Sequence, residues 1–242
     1  MAEITVFENT DDLQKSVAQK IIELASKYIH ESGRFTIALS GGSTPSGLYV
    51  LLATDNYANL IDWKKVFIFW GDERMADMNA DENNGYTAQK IFLDKINIPS
   101  QNIYRINTTL LPANAAKDYN NKIKQFFNSD LPSFDLILLG MGTNGHTASL
   151  FPHTDILHET SVLVKEVYLK EQRNFRISFT IPLINNAAHI FFLVNGNEKA
   201  AMLYTVMKGQ YLPESYPAQY INPKSNNLYW FVDKAAASLI KN

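Results

Sequence analysis

The residues best equipped for chemistry fall within residues 134–152, where the apolar run Phe134-Asp-Leu-Ile-Leu-Leu139 ends in Gly140-Met-Gly-Thr-Asn-Gly-His146. An imidazole moves protons near neutral pH, and glycines let a ligand approach the main chain. An unalternating Ile/Leu run is the pattern of a strand covered on both faces, and residues just past such a strand lie where open α/β sheets bind ligands. The same letters fit the G-x-G-x-x-G dinucleotide fingerprint, with Glu166 roughly where a ribose-binding acid belongs. Pro152 argues against it, because it leaves no room for the full-length helix that the third glycine must open. A glycine-rich turn carrying a structural histidine is the plain alternative.

Three further loops carry polar groups of a complementary kind. Phe35-Thr-Ile-Ala-Leu39 runs into Ser40-Gly-Gly-Ser-Thr-Pro45, with Pro45 expected as the first helical residue. The amides of Gly41, Gly42 and Ser43, the hydroxyls of Ser43 and Thr44 and the positive end of the helix dipole would together cradle an anion. Plain helix capping by Ser43 or Thr44 is the simpler reading, though capping does not call for two preceding glycines. No Walker lysine follows, which disfavours a nucleoside triphosphate. Val66-Phe-Ile-Phe-Trp70 delivers Gly71-Asp-Glu-Arg74, and if the chain stays extended Asp72 and Arg74 point to one side. They suit sugar hydroxyls and a carbonyl oxygen; a surface ion pair is the alternative. Arg176, opening Arg176-Ile-Ser-Phe-Thr-Ile181, and Lys199, after Asn195-Gly-Asn-Glu198, are either solvated cations or phosphate ligands. A strand start and a strand-following loop share one end of a sheet only if the strand runs antiparallel. His153 and His158 give no H-E-x-x-H spacing, so no metal site is expected.

The elements that must position these groups alternate strand and helix, the pattern of a helix-covered parallel sheet. Strands are predicted at residues 4–7, 35–39, 66–70, 134–139, 176–181 and 190–194. Helices are predicted at 11–31, 45–53, 83–95, 113–127, 198–208 and 233–241, with a long surface loop over 211–227. The 242 residues, 46% hydrophobic, suit a single domain spanning 1–242. A net charge of -2 gives no global attraction for nucleic acid or an anionic membrane. Without cysteine the chain has no disulfide, thiolate chemistry or cysteine-ligated metal. The acidic N-terminus and the lack of any membrane-length apolar run lead to the expectation of a cytoplasmic protein. Monomer and dimer both remain open.

Together, Leu39-Ser-Gly-Gly-Ser-Thr-Pro45, Trp70-Gly-Asp-Glu-Arg74, Asn83-Asn-Gly-Tyr86 and Gly140-Met-Gly-Thr-Asn-Gly-His-Thr-Ala-Ser-Leu-Phe-Pro152 closely resemble the 6-phosphogluconolactonase family. The likeness continues through Arg176-Ile-Ser-Phe-Thr, Gly196-Asn-Glu-Lys199 and Trp230-Phe-Val-Asp-Lys-Ala-Ala236, so it covers nearly the whole chain. The resemblance implies a Rossmann-like three-layer αβα fold shared with glucosamine-6-phosphate deaminase, and hydrolysis of 6-phosphoglucono-1,5-lactone without a cofactor. It places the phosphate on Gly42, Ser43, Arg176 and Lys199. His146 is then the proton-transfer residue, Arg74 faces the C1 oxygen, and Asp72 orients hydroxyls or the histidine. Deaminases of this type carry a loop like D-G-H-I-A-F-N-E-P and a second loop ending Asp-Glu-Tyr; Phe151 and Arg74 stand at those places here. One position departs from the lactonases: Asn144 replaces the usual Asp two residues before the histidine, and an amide cannot supply negative charge to the imidazole. That departure also admits a non-catalytic sugar-phosphate-binding protein.

Overall fold

Apolar runs with no polar alternation must be covered on both faces, and they form the middle of the sheet. The computed structural model describes residues 3–240. Its strands are β1 (Glu3–Phe7), β2 (Phe35–Leu39), β3 (Val66–Trp70), β4 (Asp72–Arg74), β5 (Leu136–Leu139), β6 (Val164–Leu169), β7 (Asn174–Phe179), β8 (Ile190–Val194) and β9 (Leu228–Asp233). Its α-helices are α1 (Thr10–Ser32), α2 (Ser43–Leu52), α3 (Asp55–Ala58), α4 (Asn84–Ile91), α5 (Pro112–Phe127), α6 (Ile181–Asn185) and α7 (Ala200–Lys208). Six strands pair in parallel in the order β1-β9-β8-β5-β2-β3, while β4, β7 and β6 form a separate sheet in that order. Every residue of β2, β5 and β8 is buried, which makes the chain α/β with a mostly parallel sheet and flanking helices.

Helix α1 shows how the layers are held. Leu13, Val17, Ala18, Ile21 and Ala25 recur on one face and are buried. The Asn9 side chain accepts from the Asp12 amide at 2.9 Å, and Gly33 closes the helix with φ 78°. Phe69, Phe134 and Phe179 are fully buried, with Phe134 packed against the other two rings, each contributing about 1.5–3 kcal/mol. The loops at the strand ends therefore rest on a stiff base.

Two buried tyrosines pin those strand ends. The Tyr49 hydroxyl, from α2, accepts from Ser40 N at 3.0 Å and donates to Ser40 O at 2.7 Å. The Tyr119 hydroxyl, from α5, accepts from Trp70 N at 2.8 Å and donates to Trp70 O at 3.3 Å. Ser40 directly follows β2 and Trp70 ends β3, so both candidate loops leave the sheet from fixed backbone.

Several expectations change. Strands β4, β6 and β9 were not foreseen. β9 is internal, pairing with both β1 and β8. The helix predicted over 233–241 is replaced by the end of β9 and a series of turns, and residue 241 lies outside the described residues. The predicted helix 83–95 breaks at Phe92 into α4 and a short 3-10 turn at Leu93–Lys95. Segment 211–227 is more than a surface loop: it holds a 3-10 turn at Pro217–Tyr220, and Ala218 N donates to Gly145 O at 2.8 Å. Among the described residues no helix is long and apolar enough to cross a membrane.

Candidate active site

Strands β2, β5 and β8 run parallel, so the loops after them emerge at one edge of the sheet. No helix follows Gly145; the next element is a short 3-10 turn at Asp155–His158. The dinucleotide reading therefore lacks its helix.

The histidine loop folds on itself. Gly142 N donates to His146 O at 2.8 Å and Gly145 N to Gly142 O at 3.1 Å. A Cβ on Gly142 would lie 2.1 Å from His146 Nδ1, so only glycine leaves room for the ring. Asn144 Oδ1 lies 2.5 Å from His146 Nδ1 and accepts from His146 N at 3.3 Å. With the Nδ1 proton given to that carbonyl, the lone pair is on Nε2. The opposite constraint is the Phe151 ring, stacked on the imidazole with centroids 4.0 Å apart and 16° between planes. Burial, with the positive charges of Lys199 and Arg176, pushes the His146 pKa down to about 4. The ring is thus neutral at physiological pH and free to accept a proton.

Strand β4 explains how Arg176 reaches the site. It leaves the main sheet and pairs antiparallel with β7, setting Asp72 opposite Ser178 and Arg74 opposite Arg176. The antiparallel exception is the one realised. Two guanidinium groups facing each other across strands repel, and burial followed by the Arg74 charge lowers the Arg176 pKa. Arg176 donates to Gln172, yet its buried Nε has no partner. Among the described residues, Arg74, Arg176 and Lys199 have no carboxylate at ion-pairing distance. Lys199 and Arg176 act on the neutral histidine, while Arg74, which donates to Glu82 O at 3.1 Å, lies beside Gly41 and Gly42; unpaired cations of this kind suit an anion.

Asp72 and Glu73 face opposite ways, as the alternation required. Asp72 is buried and accepts from Ser149 Oγ at 2.7 Å. Burial raises its pKa, against the hydrogen bond from Ser149 and the charges of Arg176 and Arg74. Glu73 accepts from Arg74 N, Asn84 N and Gly85 N at 2.7–2.8 Å. Burial pushes its carboxyl up to about 7 despite those three donors. Glu73 thereby caps α4 and holds Asn84, whose side chain donates to Asp72 O at 3.1 Å and packs over Gly41, where a Cβ would meet its Oδ1 at 2.1 Å.

The helix after β2 starts earlier than predicted, at Ser43 rather than Pro45, with Gly42 as its cap residue and no side-chain cap. Capping by Ser43 or Thr44 is therefore not what the loop is for. The Thr44 hydroxyl donates to Asn195, tying this loop to the one that carries Lys199. Gly41, Gly42, Arg74 and Asn84 line one cleft of about 190 Å³. Among the described residues no group of three His, Asp or Glu side chains could hold a metal.

A sequence profile described as "Glucosamine-6-phosphate isomerases/6-phosphogluconolactonase" matches residues 8–230. The chain belongs to that family. It is 38% identical over 251 residues to "Probable 6-phosphogluconolactonase 1" of Arabidopsis thaliana, spanning 98% of this chain and 92% of that one. It is 40% identical over 214 residues to the 6-phosphogluconolactonase of Nostoc sp., spanning 87% and 86%. The crystal structure of "devB protein" superposes with a TM-score of 0.91 at 35% identity, covering 100% of both chains. Within this glucosamine-6-phosphate isomerase/6-phosphogluconolactonase family, the place of the deaminase glutamate is filled by Phe151, whose ring covers the imidazole. The sequence pattern assigned no role to Asn84, Tyr49, Asn195 or Ser149. Asn84, Ser149 and Asn195 lay inside quoted segments, but their partners are distant in sequence; Tyr49 carries no local signal.

Proposed function

We propose that the chain hydrolyses 6-phospho-D-glucono-1,5-lactone to 6-phospho-D-gluconate, a step of the oxidative pentose phosphate pathway, as one catalytic unit in the cytoplasm. The observation that carries the reading is a neutral His146 whose Nδ1 is held by Asn144, in the field of Lys199 and Arg176, two cations without ion partners. The substrate phosphate sits on the amides of Gly41, Gly42 and Ser43, beside Thr44, with Arg176 and Lys199 as counterions. His146 takes a proton from water as the water oxygen bonds to C1. Arg74 stabilises the charge gathering on the C1 oxygen. When the C1–O5 bond breaks, the imidazolium returns its proton to O5, so one water has been added and the enzyme is restored. Asn144 holds the tautomer and Asp72 offers an acceptor to a ring hydroxyl.

The test is lactone generated in situ from glucose 6-phosphate, its opening followed above the spontaneous rate. His146→Gln should lose at least about 10²-fold in kcat while keeping phosphosugar binding within a few-fold. A variant retaining more than about a tenth of the activity contradicts the base role. Binding without turnover in the parent protein would indicate a sugar-phosphate sensor, and ammonia release from glucosamine 6-phosphate a deaminase.

A further inference from the structure

We propose that Ser149 is a positioning residue that clamps Asp72, locking the histidine loop to the arginine strand. The inference rests on the lactonase reading for its kinetic test. Ser149 is 1% exposed and its Oγ donates to Asp72 Oδ2 at 2.7 Å. Among the described residues it is the sole side chain that hydrogen-bonds this carboxylate. Its own amide donates to Ser178 Oγ at 3.2 Å, and Ser178 is the residue paired with Asp72 across β4 and β7. The serine is therefore held from two directions.

The backbone is bent to bring it there. Ala148 has φ 46°, the left-handed region that an alanine occupies at a cost. It sits in a tight turn where Leu150 N donates to Thr147 O at 2.9 Å, and the Thr147 hydroxyl donates to Gly140 O at 2.8 Å. Strain of this kind persists where surrounding contacts over-determine it and is concentrated at functional sites. Here it turns a hydroxyl inward onto a buried carboxylate, three residues after His146. Arg74 follows the same carboxylate by two residues. The Ser149–Asp72 hydrogen bond thus ties the loop that carries the proton-transfer group to the strand that carries the C1-oxygen ligand. With Oδ2 occupied, Oδ1 is the acceptor left for a substrate hydroxyl. A nucleophilic role does not fit, because the hydroxyl is buried and its proton is committed to Asp72.

The deciding experiment is a double-mutant cycle on lactone opening with wild type, Ser149→Ala, Asp72→Asn and the double variant. Ser149→Ala should lower kcat/KM by about ten-fold, the size of a lost hydrogen bond to a charged group. In the Asp72→Asn background the same change should cost less than about two-fold, because the serine acts through the aspartate. Equal penalties in both backgrounds overturn the proposal. A second readout needs no turnover: NMR titration of the Asp72 carboxyl. Arg176, Arg74, Glu73 and Tyr49 share its electrostatic environment and are unchanged by the substitution. Loss of the Ser149 donor should raise the Asp72 pKa by about one unit, and an unmoved titration overturns the clamp. A wild type that opens no lactone would sink the functional reading while the titration still decides the clamp.

Discussion

Replacing Asn144 by Asp puts a negative charge against a histidine that now has only a neutral acceptor. The two side chains meet at 2.5 Å between Asn144 Oδ1 and His146 Nδ1, and the imidazole pKa is about 4 in the native protein. At roughly 4 Å between charge centres and an effective dielectric of 20, the attraction is about 4 kcal/mol, equivalent to roughly three pKa units. Part of this offsets the desolvation of the new carboxylate, and Asn144 is exposed, so water screens the remainder. A net rise of about one to two units is expected. Activity needs the neutral ring, so the acidic limb of kcat/KM, which reports the free enzyme, moves upward by that amount. Turnover above the limb rises, because the carboxylate also stabilises the imidazolium formed during attack. The substrate phosphate itself titrates near pH 6, as phosphate monoesters do; this contribution is common to both proteins and cancels in the ratio of their profiles. An acidic limb unmoved to within about 0.3 units, against a 1.36 kcal/mol-per-unit scale, would refute electrostatic coupling between residue 144 and His146.

Arg176→Ala and Lys199→Ala each remove a cation used in ground and transition states alike, so steady-state kinetics should show KM rising more than kcat falls; collapse of kcat at unchanged KM would contradict their assignment to the phosphate. Tyr49→Phe strips both partners from the buried Ser40 backbone, which should cost about 1–3 kcal/mol and lower Tm by roughly 2–10 °C in calorimetry, with an unchanged Tm arguing against the pinning role. Incubation with a chelator should leave lactone opening unaltered, because the proposed water activation belongs to His146 and no described cluster of ligands could hold a metal; reversible loss on chelation and recovery on metal addition would overturn that. Phe151→Glu, which restores a carboxylate where the deaminases carry one, removes the ring stacked on His146 and should reduce kcat by about ten-fold or more through a mobile imidazole; undiminished turnover would show that the stack does not position the base.

Much of the fold could be read directly from residues 35–39, 66–70 and 190–194, because a strand buried on both faces must be apolar at every position. The same holds for the histidine loop: glycines beside a histidine at a strand end announce themselves locally, as does the pair of glycines before α2. Strand β4 could not be found this way. Asp-Glu-Arg has no strand propensity, and it is a strand only because β7 lies antiparallel beside it. β6 and β9 were missed, and with β9 went the order of the sheet's edge.

By itself, the sequence determined the chemistry available and the strands and turns that display it, since hydrophobic period and glycine conformation are set by neighbours along the chain. Tertiary structure alone decided which of those groups meet. Arg176 reaches Arg74 through an antiparallel register, Thr44 reaches Asn195 across two loops, and Ser149 reaches Asp72 from 77 residues away. None of these pairings has a local cause. Each depends on how separate strands align and on which buried polar groups must find a partner once water is excluded.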